Sequence, residues 1–208
     1  MKKMQTLFAI PYFLWLVLFV FAPVALIVFY SFLDPQGHFT LTNYQTYFAS
    51  GKYLLMTFNS VWYAFLITII TLAISYPTTY FLTKLKHKDL WLLLVILPTW
   101  INLLLKAYAF IGIFGIHGGI NRFLGFFGLA PHQLLFTDAS FLIVAMYIEL
   151  PFMIIPIFNA LEELNPSLLS ASKDLGANSA QTFWKVILPL SMNGVKSGIQ
   201  AVFIPSLS

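Results

Sequence analysis

Cysteine is absent from this chain, which excludes a disulfide framework, a thiolate metal site and a thiol nucleophile together. Charge is nearly as scarce. Only 9% of the residues are Asp, Glu, Lys or Arg, against roughly one-quarter in a soluble domain, so a water-facing globular surface cannot be built from them. The phosphate-binding pattern G-x-x-x-x-G-K-[ST] does not occur, which leaves ATP without a site of that type. The four histidines, His38, His87, His117 and His132, fall in expected loops with no ligand spacing, so neither a metal nor a cofactor is expected. No Ser/His/Asp set and no inward pair of carboxylates points to hydrolysis, and the chain reads as a non-enzyme. A net charge of +4, divided among separate loops, is too small to suggest nucleic acid as a partner.

What remains is apolar. Hydrophobic residues make up 60% of the chain and aromatic residues 18%, with a mean hydropathy of +0.86. A bilayer-spanning helix needs about 20 mostly apolar residues, and residues 7–33, 61–82, 90–116 and 140–161 meet that requirement. The expected fold is therefore an all-α polytopic bundle, a single transmembrane domain over residues 1–208 in contact with the lipid bilayer. A cleaved signal peptide has an apolar core of only about 7–15 residues, so residues 7–33 read as a retained span, bent at Pro11 and Pro23. Within the connection 117–139, Ile120, Phe123, Leu124 and Phe127 fit a short interfacial helix. A fifth span begins near Ser197. Residues 194–208 would make only about 22 Å of helix, short of a ~30 Å hydrocarbon core, so this span is expected to be cut off.

The basic residues set the orientation. With the N-terminus inside, Lys2, Lys3, Lys84, Lys86, Lys88, Lys173, Lys185 and Lys196 are cytoplasmic, and only Lys52, Lys106 and Arg122 lie toward the outside. This is the positive-inside pattern. It places the connection 162–193 in the cytoplasm.

That connection carries the helix signals of two short elements. Asn165 is a good N-cap and Pro166 suits the first helical position, where its missing N–H costs nothing. The first helix can run through Leu168, Leu169 and Leu175 to Gly176, the residue type that most easily takes the left-handed closing conformation. Asn178 or Ser179 can cap the second. Phe183, Val186, Ile187 and Leu190 then follow at spacings of three, four and seven, and Pro189 disrupts the helix near its end.

The same stretch resembles the signature loop of binding-protein-dependent ABC importer permeases: Glu-Ala-Ala, three residues, Gly, nine residues, Ile, any residue, Leu-Pro. Here Ser170, Ala171 and Ser172 hold the first three places, Asp174 and Leu175 precede Gly176, and Val186, Leu188 and Pro189 complete the spacing. Ser170 stands where the pattern has Glu. The segments FTLTNYQTYF at 39–48, NSVWYAF at 59–65, LPTWINLLLKAYAF at 97–110, GGINRFLGFFGL at 118–129 and ELPFMIIPIFNALEELNPSLL at 149–169 look most like the spermidine/putrescine subgroup. That resemblance implies six spans in a complete member, so about one and a half are expected to be missing here. It implies a bacterial cell-membrane protein that pairs with a second permease subunit. It also implies cytoplasmic ATPase subunits that grip the loop, and an external substrate-binding protein.

Ionisable groups inside a span are costly and usually face a cavity or a partner. Glu149 is such a group, and a carboxylate could offset part of a polyamine's lost hydration. Trp100, Asn102 and Tyr108 complete the candidate pathway residues. Aromatic belts explain most of the aromatic residues equally well, Glu149 could instead pair with Lys106, and Lys106 could simply extend to the headgroups. A permease for another solute (an iron complex, sulfate, a sugar) and a non-transporting membrane anchor or assembly subunit stay open as alternative functions.

Overall fold

The computed structural model describes residues 10–207; Lys2, Lys3, the first residues of the 7–33 span and Ser208 lie outside them. Among the described residues there is no β-strand, only an isolated antiparallel bridge between Leu33 and Phe39. The class is all-α. Four helical stretches are long and apolar enough to cross a bilayer: Ile10–Ser31, Gly51–Leu82, Leu103–Phe126 and Asp138–Glu162.

The chain divides into two compact units between Phe58 and Asn59. In the first, α1 (Ile10–Ser31) contains a π-helical turn at Val17–Phe21, where the Ala22 N–H reaches back to the Val17 carbonyl. Proline explains the widening. Pro23 has no N–H to give, and its ring crowds the carbonyl four residues earlier. After α1 the Asp34 carboxylate accepts the N–H groups of Gln36 at 3.0 Å and His38 at 2.8 Å. The Asn43 amide, from α2 (Thr42–Ala49), donates to the carbonyls of Ser31, the last residue of α1, and of Leu33 just beyond it.

Helix α3 (Gly51–Leu82) has 32 residues, about 48 Å at 1.5 Å each. The expected span 61–82 is thus the last part of a longer helix. Residues 52–60 contain no glycine or proline to stop it, and the extended backbone of Ser50 alone separates it from α2.

The second unit holds the rest of α3 and seven further helices. The expected third span, 90–116, is not one helix. It consists of α4 (Lys88–Ile96), a 3₁₀ turn at Leu97–Trp100 and α5 (Leu103–Phe114), with extended backbone at Ile101 and Asn102 between them. Pro98 cannot continue the α ladder, while the Asn102 side chain accepts the Leu104 N–H at 2.8 Å and so starts a new helix. Helix α6 (Gly119–Phe126) is the expected short one. It is pinned through Asn121, which is buried and bonds the Gly115 carbonyl and both backbone groups of His132.

Helix α7 (Asp138–Glu162) carries Pro151 and Pro156 in its interior. Three elements follow it. Helix α8 spans Pro166–Asp174; α9 joins Ser179–Thr182, a π turn at Phe183–Ile187 and Leu188–Leu190; α10 spans Met192–Ser206. The last begins five residues before the expected start at Ser197. Its packing against α7 makes the core. A Cβ on Gly194 would stand 2.5 Å from both the Ala160 Cβ and the Pro156 carbonyl, and one on Gly198 would stand 2.7 Å from the Met153 sulfur. Two glycines four apart therefore let the α10 backbone settle onto α7, the close approach that drives helix association where lipid replaces water. Val195 and Val202 of α10, Met153, Ile157 and Leu161 of α7, Ile67 and Tyr76 of α3, and Ile187 of α9 fill the interior.

Candidate functional site

The connection between α7 and α10 is built by local bonding of unusual completeness. Asn165 accepts the Ser167 N–H at 3.0 Å and Pro166 occupies the first turn of α8, as expected. At the far end Gly176 has φ +80°. Its N–H donates to the Lys173 carbonyl at 2.8 Å, and the Ala177 N–H donates to the Ser172 carbonyl at 3.0 Å. These two bonds satisfy carbonyls that the helix end would otherwise leave open. Asn178 then caps α9 reciprocally: its side chain accepts the Gln181 N–H at 2.8 Å, and the Gln181 side chain accepts the Asn178 N–H at 2.9 Å. The chain reverses between two closed helix ends.

Three contacts fix this reversal to the bundle. The Ser172 and Thr182 hydroxyls lie 2.9 Å apart, joining α8 to α9. Phe183 stands edge-on to Tyr76 and Tyr80 of α3, with ring centres 5.8 Å and 5.1 Å away. Where α9 ends, the Ser191 hydroxyl bonds that of Tyr76 at 2.7 Å. Ile187 enters the core between them. The π turn at Phe183–Ile187 precedes Pro189 just as the one in α1 precedes Pro23; here the Leu188 N–H reaches back to the Phe183 carbonyl.

The residues singled out by the loop spacing take different stations. Ser170, Ala171, Asp174, Leu175, Gly176 and Pro189 are exposed, while Val186 and Leu188 are half-buried. Ser172 faces inward and is occupied by Thr182. Leu168, Ala171 and Leu175, spaced three and four apart, share one outward edge of α8. Leu175 is 89% exposed, an extreme value for a leucine whose neighbour Leu169 packs against the core.

The four candidate pathway residues do not converge. Asn102 is the N-cap of α5. Trp100 and Tyr108 are exposed, at 75% and 70%. Glu149 is half-buried midway along α7, and its side chain has no hydrogen bond or ion pair among the described residues; in particular it makes no ion pair with Lys106. A cleft of about 280 Å³ beside α5 and α7 is lined by Ile101, Leu105, Lys106, Phe110 and Tyr147, and by none of the four. Two residues beyond Glu149, Pro151 leaves the Tyr147 carbonyl without its helical donor.

Sequence reasoning missed the contacts that hold the loop to α3. Their signal was present: Thr68, Thr71, Ser75 and Thr79 recur at spacings of three and four and are all buried, so they mark the face of α3 turned inward, with Tyr76 beside it. The glycine pair in GVKSG, 194–198, was equally readable.

No family model matches the chain. The chain is 37% identical over 216 residues to the spermidine/putrescine transport system permease protein PotB of Haemophilus influenzae, covering 99% of this chain and 75% of that protein. To the protein of the same name from Escherichia coli strain K12 it is 37% identical over 203 residues, covering 93% and 74%. A PotB homolog of Mycoplasma genitalium is 29% identical, with 96% and 70% covered. Among solved structures, a chain of a bacterial alginate ABC transporter, in complex with an alginate pentasaccharide-bound periplasmic protein, superposes with a TM-score of 0.75 at 18% identity, covering 92% of this chain and 68% of that one. At that identity the likeness establishes the fold.

Proposed function

Because the chain belongs to the permease family of spermidine/putrescine ABC transport systems, we propose that it forms part of an inner-membrane pathway for polyamines and that α8 and α9 couple this pathway to a cytoplasmic ATPase. The observation that carries the coupling reading is the outward edge Leu168, Ala171 and Leu175 on a short helix whose other side is bonded into the bundle. An amphipathic helix presenting anchors three and four residues apart suits a groove in a partner, and a leucine at 89% exposure is otherwise a cost in water. The positive-inside distribution of lysines supports a cytoplasmic loop. A second permease subunit and an external substrate-binding protein complete the assembly in this reading.

The mechanism follows from rigidity. When the ATPase closes on nucleotide, α8 moves with it. The Ser172–Thr182 bond and the closed helix ends at Gly176 and Asn178 leave little slack, so α9 follows. Phe183 and Ser191 then carry the displacement to Tyr76, and so to α3, while Ile187 carries it to the core. In the spans, the Glu149 carboxylate has no partner among the described residues, which supports a role opposite a polycationic substrate; Trp100 and Asn102 stand at the break between α4 and α5, where the backbone can reshape, and Tyr108 lies farther along α5. ATP chemistry belongs to the partner.

The test is uptake of labelled spermidine and putrescine by cells whose own importer is deleted and which express the complete complex, with wild-type protein or Leu175→Glu. Uptake should require this subunit. The Leu175→Glu chain should insert normally yet fail to retain the ATPase on purification, losing about 2 kcal/mol or more of interface energy as a buried anchor does. Full ATPase retention by that variant would remove α8 as the docking element, and uptake of another solute alone would remove the polyamine assignment.

A further inference from the structure

A second cleft, of about 480 Å³, lies on the bundle side of α8, between that helix, the α3–α4 turn and the end of α7. Its charged lining is lopsided. Lys84, Lys88 and Lys173 face a single carboxylate, Glu162, and Glu162 is already ion-paired with Lys88. Lys84 is held with its ammonium 3.7 Å from the centre of the Tyr80 ring, and Lys173 has no carboxylate partner among the described residues. Lys173 on α8 and Lys84 on the α3–α4 turn therefore line one cavity with no carboxylate of their own, its single carboxylate being taken by Lys88. Ser179 adds a hydroxyl at its edge. Beneath this rim the lining is apolar, through Leu161, Leu164 and Leu169.

We propose that this cleft binds a phosphate-bearing group, held between Lys84 and Lys173. Like charges brought together in a partly enclosed space repel unless an anion lies between them, and a phosphate offers each ammonium a separate acceptor oxygen. The apolar floor suits a phosphate diester attached to hydrocarbon, and the cleft stands beside the ends of α3 and α7. An anionic phospholipid of the cytoplasmic leaflet and a soluble phosphate compound share the recognising chemistry. Either would bridge α8 to the α3–α4 turn and so brace the coupling helix from behind, on the side away from Leu175. The site rests on the proposed orientation, which puts these lysines on the cytoplasmic side.

The complete complex, purified and placed in nanodiscs, supplies the test through the rate at which each lysine reacts with an acylating reagent. Three conditions separate the sources: phosphatidylcholine alone, phosphatidylcholine with phosphatidylglycerol, and phosphatidylcholine with added inorganic phosphate. Protection of Lys84 and Lys173, but not of Lys52, by phosphatidylglycerol assigns a lipid; protection by inorganic phosphate assigns a soluble ligand. Lys84→Gln should weaken the protection of Lys173 about tenfold, the effect of losing one charge-assisted contact. Glu162→Gln, which removes the competing carboxylate and keeps the side chain's shape, should strengthen it. Equal lysine reactivity in all three conditions, or protection of Lys173 unchanged by Lys84→Gln, overturns the proposal. An impermeant reagent reaching Lys84 from outside intact cells would overturn the orientation, and with it the lipid leaflet named here, while protection in nanodiscs would still assign the site.

Discussion

The hydroxyls of Tyr76 and Ser191 meet at 2.7 Å across 115 residues of chain, in an interior where Ser191 has no exposed surface. Tyr76 belongs to a helix long and apolar enough to cross a bilayer and Ser191 follows α9, so this bond joins that helix directly to the end of the proposed coupling loop. Tyr76→Phe keeps the ring against Phe183 and removes only the hydroxyl, and Ser191 keeps the Leu188 carbonyl as a partner at 3.1 Å. The cost in stability should therefore be about 1 kcal/mol. Complex assembly and basal ATP hydrolysis should persist while polyamine transported per ATP falls. An unchanged ratio would show that the tie does not transmit motion.

Gly176 offers a test of backbone geometry separated from crowding. No atom lies within 4 Å of a Cβ built there, yet φ is +80°, a conformation that costs an L-residue about 1–2 kcal/mol and that asparagine tolerates best. Gly176→Asn should retain most uptake, and Gly176→Val should insert in the membrane normally and lose it. Equal uptake by the two variants would remove the left-handed turn from the coupling mechanism.

At Gly194 crowding is the whole effect. Gly194→Ala would press a methyl group against the Ala160 Cβ and the Pro156 carbonyl, forcing α10 away from α7 at about 1–3 kcal/mol. The purified complex should show a lowered Tm. Adding Ala160→Gly should recover part of the loss and no more, because the Pro156 carbonyl cannot withdraw. Complete recovery would place the clash on the side chain alone.

Glu149→Gln removes the charge of a carboxylate that has no partner among the described residues and keeps its size. If the carboxylate faces a polycation in transit, uptake should fall about tenfold, in line with a charge-assisted contact of about 1.5 kcal/mol, with assembly intact. A subunit that only anchored the complex would be indifferent to this change.

The local devices were legible in the sequence, and the long-range ones were not. Asn165, Pro166, Gly176 and Asn178 announce caps and a reversal because each acts on backbone groups within a few residues, so their effect needs no knowledge of the rest of the chain. The apolar runs announce spans by the same logic. The break at Ile101 and Asn102 was visible only as Pro98 and Asn102 within an apolar run, and hydropathy counts such a run as continuous. Ser172 belongs to the loop pattern by spacing, yet it turns inward because Thr182, ten residues away, is where α9 brings a hydroxyl. Tyr76 is one of several aromatic residues in its helix and is marked by nothing local. Its role comes from Ser191 and Phe183, which approach it only after α9 and α10 have packed.

The two π turns carry a consequence for how this chain can change length. Each holds one residue more than an α turn would, and each directly precedes the residue before a proline, so the surplus residue and the proline form a single unit. Deleting one residue from 183–187 would turn everything downstream by about 100° around the helix axis. Gly194 and Gly198 would then leave the surface of α7, and the Pro189 ring would meet a carbonyl it now avoids. Replacing Pro189 without a deletion would leave a widened turn with nothing to require it. A length change within 183–187 is therefore expected to be tolerated only together with loss of Pro189, so that the π turn and its proline act as one unit of fixed length.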